Sequence, residues 1–314
     1  MRILITGVHG FVGSNLVKVL SNEHTIYGLD IISPIKDGVR FTFSWDFLDK
    51  PNEIPEVDAI IHLAGKAHDT KNKSAADVYF KVNTELTKKI FDYFLAHDNI
   101  KKFVFFSTAK AAADKVDGIL TEDVVPAPVG PYGESKIAAE KYILSHTDST
   151  DSTEKQVYIF RPCMIHGPGN KGNLNLLYNM VRKGIPWPLG AFENRRTFTS
   201  IENICFAVNG VLTKNIPSGI YNMGDDEALS TNELIEEICK SLGKKAHIWK
   251  LPKGLMNGVA KVGSTLHLPL DSERLRKLTE DYVSSNAKIK KALGIEKMPV
   301  DAREGLKITL ESFR

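Results

Sequence analysis

The sequence predicts an α/β protein, in which a doubly wound parallel sheet is followed by a smaller and mostly helical C-terminal domain. Short β-rich runs alternate with amphipathic helical stretches in the first half, and a glycine-rich turn joins the first run to the first helix. After Gly167 this alternation gives way to segments rich in glycine and proline. Alternation of strands and helices indicates parallel strands joined by crossover helices, a Rossmann-type arrangement. We predict two interleaved domains, residues 1–166 and 167–314, with part of the second returning to the sheet.

Five apolar runs are the predicted strands of the sheet. They cover residues 2–6, 25–30, 58–65, 103–108 and 157–162. Amphipathic stretches predict helices over residues 11–20, 75–97 and 132–145. The polar segment 145–156 is expected to be a solvated loop. Helical segments with few strands are expected after residue 192.

Composition and charge exclude several classes of protein. The 314 residues are 42% hydrophobic, enough for a sizeable core, and the net charge of +3 comes from scattered cations rather than a nucleic-acid-binding run. Three cysteines, Cys163, Cys205 and Cys239, stand in apolar settings without metal-ligand spacing, so we expect buried thiols with no disulfide and no zinc. A strand directly after Met1 leaves no room for a leader, and no later run is long enough to span a membrane. We expect a cytoplasmic protein that binds neither nucleic acid nor membrane.

Three glycines, Gly7, Gly10 and Gly13, follow the first strand and open the first helix. A strand, a tight turn and a helix place backbone N–H groups and the positive end of the helix dipole where a pyrophosphate can sit. The spacing is Gly-x-x-Gly-x-x-Gly, and on its own it describes a plain glycine-rich turn equally well.

Asp30 ends the next predicted strand, near the offset expected for a carboxylate that binds a ribose. Its charge would repel a 2′-phosphate, and Ile31 and Ile32 supply no arginine to offset it, so NAD is favoured over NADP. Lys36 and Arg40 lie close enough in sequence to keep that preference open.

The pair Tyr132 and Lys136 carries the sharper chemical signal. A spacing of four residues, on a helix with Pro131 near its start, places both side chains on one face. A phenol with a pKa of about 10 is a poor base at neutral pH, and shifting it by three units requires about 4 kcal/mol. Lys136, together with a nicotinamide cation, could stabilise the phenolate and allow proton transfer to an alcohol oxygen. A chance pair on a helix is the structural alternative.

Polar residues at two other places support a site at the carboxyl edge of the sheet. Ser107 and Thr108 end a buried strand, and a hydroxyl there could bind the same reacting oxygen as Tyr132. Asn83 is a helix-disfavoured amide in an apolar helical stretch, so it either braces the active-site backbone or is simply a satisfied buried amide.

Together these motifs resemble the extended short-chain dehydrogenases, the NAD-dependent epimerase/dehydratase family that works on nucleotide sugars. The resemblance is carried, in order, by Gly7-x-x-Gly10-Phe11-x-Gly13, Asp30, Asp46, HLAG at 62–65, Asn83, Ser107-Thr108, Tyr132-x-x-x-Lys136 and RPxxxHGPG at 161–169. It implies an NAD-binding domain over 1–166 and a substrate-binding domain over 167–314. It also implies a catalytic triad of Thr108, Tyr132 and Lys136.

The same resemblance implies the binding residues. Residues expected at the cofactor are Gly7, Gly10, Phe11, Val12, Gly13, Asp30, Asp46, Phe47, Leu63, Ala64, Gly65, Asn83, Tyr132 and Lys136. On the substrate side, Arg196 is expected to bind the diphosphate of a UDP-sugar, because two phosphates must be neutralised. Thr108, Asn173 and Pro188, the last within the segment 187–190, are expected to contact the substrate.

Departures from the family pattern narrow the expected reaction. Sugar 4,6-dehydratases carry an Asp-Glu pair just after the catalytic Thr, and Ala109 and Lys110 stand there in this chain. His166 replaces a Tyr of the family, a change expected to affect packing more than chemistry. The chain looks most like reductases of UDP-linked 4-keto-6-deoxy-N-acetylhexosamines, and a UDP-sugar 4-epimerase with retained NAD is the alternative. A non-catalytic NAD-binding sensor is an alternative from another class. A homodimer is implied by the resemblance.

Overall fold

The computed structural model describes residues 1–49, 55–67, 75–147, 154–266 and 270–314. The strands are β1 (Arg2–Thr6), β2 (Thr25–Leu29), β3 (Val39–Phe43), β4 (Ala59–His62), β5 (Lys102–Phe106), β6 (Ile119–Leu120), β7 (Gln156–Pro162), β8 (Met164–His166), β9 (Phe198–Ser200), β10 (Gly219–Met223) and β11 (Val283–Ser284). The helices of the first half are α1 (Phe11–Leu20), α2 (Ala76–Tyr79), α3 (Leu86–Ala96), α4 (Ala109–Ala112) and α5 (Pro131–Ser145). Those of the second half are α6 (Asn173–Arg182), α7 (Ile201–Thr213), α8 (Thr231–Ser241), α9 (Lys253–Leu266), α10 (Ser272–Thr279), α11 (Ala287–Leu293) and α12 (Ala302–Glu311).

Seven parallel strands form the central sheet, in the order β10-β7-β5-β4-β1-β2-β3. Strand β1 pairs with β2 on one side and with β4 on the other, for example Ile5 with Gly28 and with Ile61. The strand order therefore reverses direction at β1. Ligands of doubly wound sheets bind outside the carboxyl ends of the strands at such a reversal. The predicted fold class is confirmed.

The sheet is apolar on both faces because helices cover both of them. Ile3, Leu4 and Ile5 of β1 are fully buried; Ile3 and Ile5 pack in the cluster that includes α1 and α7 residues, and Leu4 packs in the cluster on the α3 and α5 side. A third apolar cluster joins α6, α8, α9, α10 and α12 of the C-terminal half. Unbroken apolar runs of this kind are typical of parallel strands buried on two sides.

Each predicted strand and helix has a counterpart within two residues of its predicted ends, except that β4 ends at His62, three residues before the predicted end of the run 58–65. One predicted helix is irregular. A six-residue π-helical stretch, Phe80–Glu85, here called the π segment, interrupts the predicted helix 75–97 between α2 and α3. The sequence patterns missed β3 and β10, and β10 is where the C-terminal half returns to the sheet. Residues 148–153 of the predicted loop lie outside the described residues. The boundary at residue 166 stays a prediction.

Two further observations concern cysteines and membranes. Cys163 is partly buried, Cys205 and Cys239 are buried, and all three are free thiols. Within the described ranges, no helix is both long enough and apolar enough to cross a bilayer.

Candidate active site

The glycine turn forms at the carboxyl end of β1 and admits no side chain at its closest point. Gly7 has a φ of +69°, and a Cβ on Gly13 would lie 2.5 Å from the Gly7 carbonyl oxygen and 2.9 Å from the Val8 Cα. Gly10 is the N-cap of α1, so no side chain accepts from the N–H groups of the first turn, which also holds no acidic residue. Uncapped N–H groups at a helix N-terminus suit an anionic group such as a pyrophosphate.

Asp30 lies beside this turn, directly after β2. Its carboxylate accepts hydrogen bonds from the backbone N–H of His9 at 3.0 Å and of Ile31 at 2.7 Å. The carboxylate is therefore held at the mouth of the glycine turn, where the sequence predicts a ribose contact. Lys36 donates to the Ser14 hydroxyl on α1 at 2.6 Å, and Arg40 is exposed on β3.

Asp46 and Phe47, two of the residues predicted at the cofactor, differ in accessibility. Asp46 is exposed on a short 3-10 turn, Trp45–Asp49, that follows β3. Phe47 is buried and stacks on Phe43 with ring centroids 4.2 Å apart. Their contacts with a cofactor stay predictions.

The loop after β4, residues 63–65, touches both the glycine turn and helix α5, which carries Lys136. A Cβ on Gly7 would lie 3.0 Å from the Ala64 nitrogen, and a Cβ on Gly65 would lie 3.1 Å from the Lys136 Nζ. The N–H groups of Leu63 and Ala64 donate to the Thr6 hydroxyl at 3.2 and 3.0 Å. The structure thus brings the predicted cofactor residues of β1 and β4 next to Lys136.

A buried histidine beneath this loop is hydrogen-bonded at both ring nitrogens. His62 Nδ1 lies 2.7 Å from the Thr6 hydroxyl, and its Nε2 lies 2.9 Å from the Thr87 hydroxyl. Because Thr87 donates its own hydrogen to the Asn83 carbonyl, Nε2 must donate and Nδ1 must accept. Burial holds the pKa of His62 well below its usual range, so the ring is neutral.

Asn83 lies in the π segment and braces the loop. Its Oδ1 accepts from the Lys66 N–H at 2.7 Å, and its Nδ2 donates to the Lys66 carbonyl at 3.1 Å and to the Ser135 hydroxyl at 3.0 Å. The side chain is fully buried and satisfied. π-Helical turns often mark functional sites, and this one places an amide between the loop and α5.

Tyr132 and Thr108 meet at the carboxyl edge of the sheet. The Thr108 hydroxyl lies close enough to the Tyr132 phenol to act on the pKa of that phenol, and the Tyr132 ring packs edge-on against Tyr79 with centroids 6.3 Å apart. Thr108 also caps α4, accepting from the Lys110 N–H at 3.3 Å. The structure thus brings close together the two residues that the sequence predicts to bind the same reacting oxygen.

Lys136 lies one helical turn beyond Tyr132 and is buried. Its Nζ donates to the Phe106 carbonyl at 2.9 Å and lies 4.9 Å from the Phe105 ring centroid. Burial lowers the pKa of Lys136 to about 8, and the Glu140 carboxylate acts in the opposite direction.

The expected acidification of the phenol is not seen in the chain alone. Burial raises the pKa of Tyr132, because a phenolate loses its hydration there, and the hydrogen bond with Thr108 only partly opposes this. Protein groups therefore set the position of the phenol, while the further positive charge expected from a nicotinamide is needed to lower its pKa.

Charged side chains form a cluster around Lys110, two residues after Thr108, here called the cation cluster. It contains three cations and two carboxylates, namely Lys110, Arg196, Arg276, Asp114 and Glu280. Asp114 bonds Lys110 at 3.0 Å and Arg276 at 3.2 Å, and Arg276 also bonds Glu280 at 2.9 Å. Arg196 donates to the Lys277 carbonyl, and burial lowers its pKa. The surplus of positive charge suits an anionic ligand.

Sequence reasoning named Arg196 and missed Arg276, which lies 80 positions later on α10. A single sequence does not distinguish Arg276 from the charged residues around it. Asp114 is distant from Arg276 in the sequence, and only the fold brings it to α10. The ion pair between Arg276 and Asp114 is the observation that places it here.

The remaining predicted residues lie in separate parts of the C-terminal half. Asn173 is exposed at the first residue of α6, and Pro188 is partly buried beside Trp187, whose indole donates to Asn232 at 2.9 Å. Their substrate contacts stay predictions. His166 is buried, 2.8 Å from the Thr309 hydroxyl.

These residues fit a bound dinucleotide. The glycine turn leaves a cradle that a Cβ would fill, the first turn of α1 has no side-chain cap, and Asp30 lies beside both. Among the described residues, no group of three or more His, Cys, Asp or Glu side chains is arranged to hold a metal ion.

Comparisons with known proteins agree with this arrangement. The model of the NAD-dependent epimerase/dehydratase family matches residues 3–224. A UDP-glucose 4-epimerase of Vibrio cholerae is 31% identical over 269 residues, which cover 80% of this chain and 78% of that protein. An N-acetyl-α-D-glucosaminyl-diphospho-ditrans,octacis-undecaprenol 4-epimerase of Escherichia coli O157:H7 is 27% identical over 270 residues, covering 82% and 78%.

A solved structure shows the same fold over the full length. MoeE5 in complex with UDP-glucuronic acid and NAD superposes with a TM-score of 0.77 at 21% identity, covering 100% of this chain and 99% of that one. The resemblance seen in the sequence motifs is confirmed. The chain therefore belongs to the NAD-dependent epimerase/dehydratase family of enzymes.

Proposed function

We propose that the chain is a nucleotide-sugar oxidoreductase that transfers hydride at C4 of a UDP-sugar, as a UDP-4-keto-sugar reductase in the synthesis of surface-polysaccharide sugars. The observation that carries the proposal is the position of the Thr108 hydroxyl beside the Tyr132 phenol, one helical turn from the buried Lys136 ammonium that the Phe106 carbonyl holds. Three such groups around one point can bind a carbonyl oxygen and give it a proton. Bound NADH would supply the hydride, and these three groups would bind the carbonyl oxygen and supply the proton.

In this proposal each residue of the triad has a separate task. The Thr108 hydroxyl holds the sugar O4, and the Tyr132 phenol gives that oxygen its proton as C4 is reduced. The phenolate left behind is stabilised by the Thr108 hydroxyl and by the positive charge on Lys136. Lys136 is held in place by the Phe106 carbonyl, so it contributes charge from a fixed position.

The binding residues are assigned in the same way. The glycine turn and the first turn of α1 would hold the pyrophosphate of NAD, and Asp30 would accept hydrogen bonds from the adenosine ribose. Arg196, with Lys110 and Arg276 nearby, would neutralise the diphosphate of the UDP-sugar. Binding of the diphosphate would replace some of the present contacts with Asp114 and Glu280.

Dehydration fits the site poorly. Elimination of water from C5 and C6 needs an acid and a base after the catalytic Thr. Ala109 is buried there, and Lys110 is bonded to Asp114 at 3.0 Å. The segment therefore offers no carboxylate next to Thr108.

A 4-epimerase with retained NAD is the second candidate, and the 31% identity to a UDP-glucose 4-epimerase supports it. An epimerase needs the same three residues but returns the hydride to the other face of C4 without exchanging its cofactor. A reductase releases oxidised cofactor after each turnover.

Incubation of the purified chain with UDP-sugars, without added NADH, distinguishes these candidates. For a reductase we expect no sustained inversion at C4, measured by NMR of the sugar, and stoichiometric oxidation of NADH when a 4-keto sugar is supplied. Continued inversion over many turnovers without added cofactor would contradict the reductase and support the epimerase.

The chain is also expected to form a homodimer through α3 and α5, with the segment preceding α3. Val78, Phe80 and Leu144 on these helical stretches expose between 36% and 39% of their surface, which a partner copy could cover. Velocity sedimentation at micromolar concentration should give the mass of two chains, and a monomer would contradict this expectation.

A further inference from the structure

The end of β5 and the catalytic helix α5 are joined by three contacts in a row. Three consecutive residues, 106–108, each lie against one of three side chains that are spaced four residues apart on α5, and the first two make hydrogen bonds with them. The pairs are Phe106 with Lys136, Ser107 with Glu140, and Thr108 with Tyr132. The proposed function uses the first and the third pair, and leaves the Ser107–Glu140 pair without a role.

Glu140 is fully buried, and it is held from a second strand as well. Arg161 of β7 donates to it through Nε at 3.0 Å and through Nη2 at 2.6 Å, and this arginine is only 1% exposed. The Ser107 hydroxyl donates to Oε1 of the same carboxylate. Burying an ion pair gains little stability over an apolar pair of the same size, so its presence calls for another reason.

The charge of Glu140 acts on Lys136. Three other ionisable side chains belong to the neighbouring elements: Tyr132 lies one turn earlier on α5, neutral His62 ends β4, and Arg161 of β7 is paired with Glu140. Burial lowers the pKa of Lys136 to about 8, and Glu140 raises it. Glu140 is therefore the group whose negative charge favours the protonated form of Lys136.

We propose that Glu140 is a positioning residue of the active site, which fixes α5 against the end of β5 through Ser107 and against β7 through Arg161. The proposal rests on the proposed hydride transfer for its catalytic meaning. The proposal predicts two separable effects: the Ser107 contact holds α5, with Tyr132 and Lys136 on it, against the end of β5, and the Glu140 carboxylate favours the protonated form of Lys136.

The test compares Glu140→Gln, Ser107→Ala and the wild type, with Glu311→Gln, exposed at the end of α12, as the matched control. The titration of Lys136 is followed by NMR of ¹³C-labelled lysine in the cofactor-free chain, assigned with Lys136→Arg. The pH dependence of kcat and KM is measured on the holoenzyme with NADH and UDP-4-keto sugar.

For Glu140→Gln we expect the Lys136 titration midpoint to fall by about one pH unit, because a neighbouring opposite charge is lost. The alkaline limb of kcat should move to lower pH by the same amount, and kcat at neutral pH should fall at least about tenfold with KM nearly unchanged. Ser107→Ala should lower kcat without moving the midpoint. The Glu311→Gln control should match the wild type.

An unmoved Lys136 midpoint in folded Glu140→Gln would overturn the proposal, as would a fall in kcat that is equal at every pH. If Glu140→Gln does not fold, the double variant Glu140→Leu with Arg161→Met removes both charges together, and the midpoint is expected to fall by less than in Glu140→Gln, because the loss of the Arg161 cation opposes the loss of the carboxylate. A wild-type chain that turns over no UDP-sugar contradicts the proposed function alone, because the titration is read without cofactor or substrate.

Discussion

The variant Tyr132→Phe is expected to lose between about 10² and 10⁴ of kcat, which corresponds to roughly 3 to 5 kcal/mol of transition-state stabilisation. The phenol is the proton donor in the proposed site, and phenylalanine keeps its ring against Tyr79 while removing the oxygen beside Thr108. The loss should fall on kcat, and NAD should bind with nearly wild-type affinity. Steady-state kinetics and a fluorescence titration with NADH measure the two quantities.

Tyr142→Phe is the matched control, because it removes the same atom from the same helix. The Tyr142 hydroxyl donates to Asp92 at 2.6 Å, at the exposed side of α5. We expect kcat within about twofold of the wild type for this control. If Tyr132→Phe also kept wild-type turnover, the chain would be a cofactor-binding sensor rather than an enzyme of the proposed type.

The second large effect is expected for Gly13→Ala. The new Cβ would lie 2.5 Å from the Gly7 carbonyl oxygen and 2.9 Å from the Val8 Cα, and both are backbone atoms that cannot swing away. The glycine turn must therefore open, at a cost of about 1 to 3 kcal/mol in the free energy of unfolding. Because the same turn is proposed to hold the pyrophosphate, NAD affinity should fall at least about tenfold.

Gly258→Ala provides the control for this prediction. Gly258 lies inside α9, and a Cβ there would meet nothing within 4 Å. Alanine is favoured over glycine in a helix by up to about 1 kcal/mol, so the thermal unfolding temperature should rise slightly and NAD binding should not change. Equal NAD affinity for Gly13→Ala and the wild type would remove the glycine turn from the proposed cofactor site.

Much of the fold could be predicted from sequence because its strands are buried on both faces. The predicted strands 2–6 and 157–162 contain the unbroken apolar stretches 3–5 and 157–160, and such stretches have few other places in a globular protein. Strand β3 was missed because its pattern is weaker, with Arg40 and Phe41 both exposed at the edge of the sheet. The pairing of β10 with β7 depends on contacts between distant segments, which no local pattern encodes.

Some residues of the candidate site could likewise be predicted from local sequence patterns, and others could not. The glycine turn and the Tyr132–Lys136 pair are local motifs, so short-range spacing reveals them. The π segment is invisible in sequence, because α- and π-helical turns use similar residues, and only the hydrogen bonds of Asn83 show why the helix is irregular there. Glu140 lies on the same face of α5 as Tyr132 and Lys136. Its partner Arg161 belongs to β7, so only the fold shows the ion pair between them.

The hydrogen-bonded line from Thr6 through His62 and Thr87 to Asn83 has one further consequence. Each hydroxyl in it has a single hydrogen, and the ring carries one more, so all donors must point the same way along the line. A doubly protonated imidazole would disrupt this order by leaving Thr6 with no acceptor for its hydrogen on that ring. This line of hydrogen bonds connects the ends of β1 and β4, beneath the proposed dinucleotide site, with the π segment. Mutations in either region should therefore perturb the other as well.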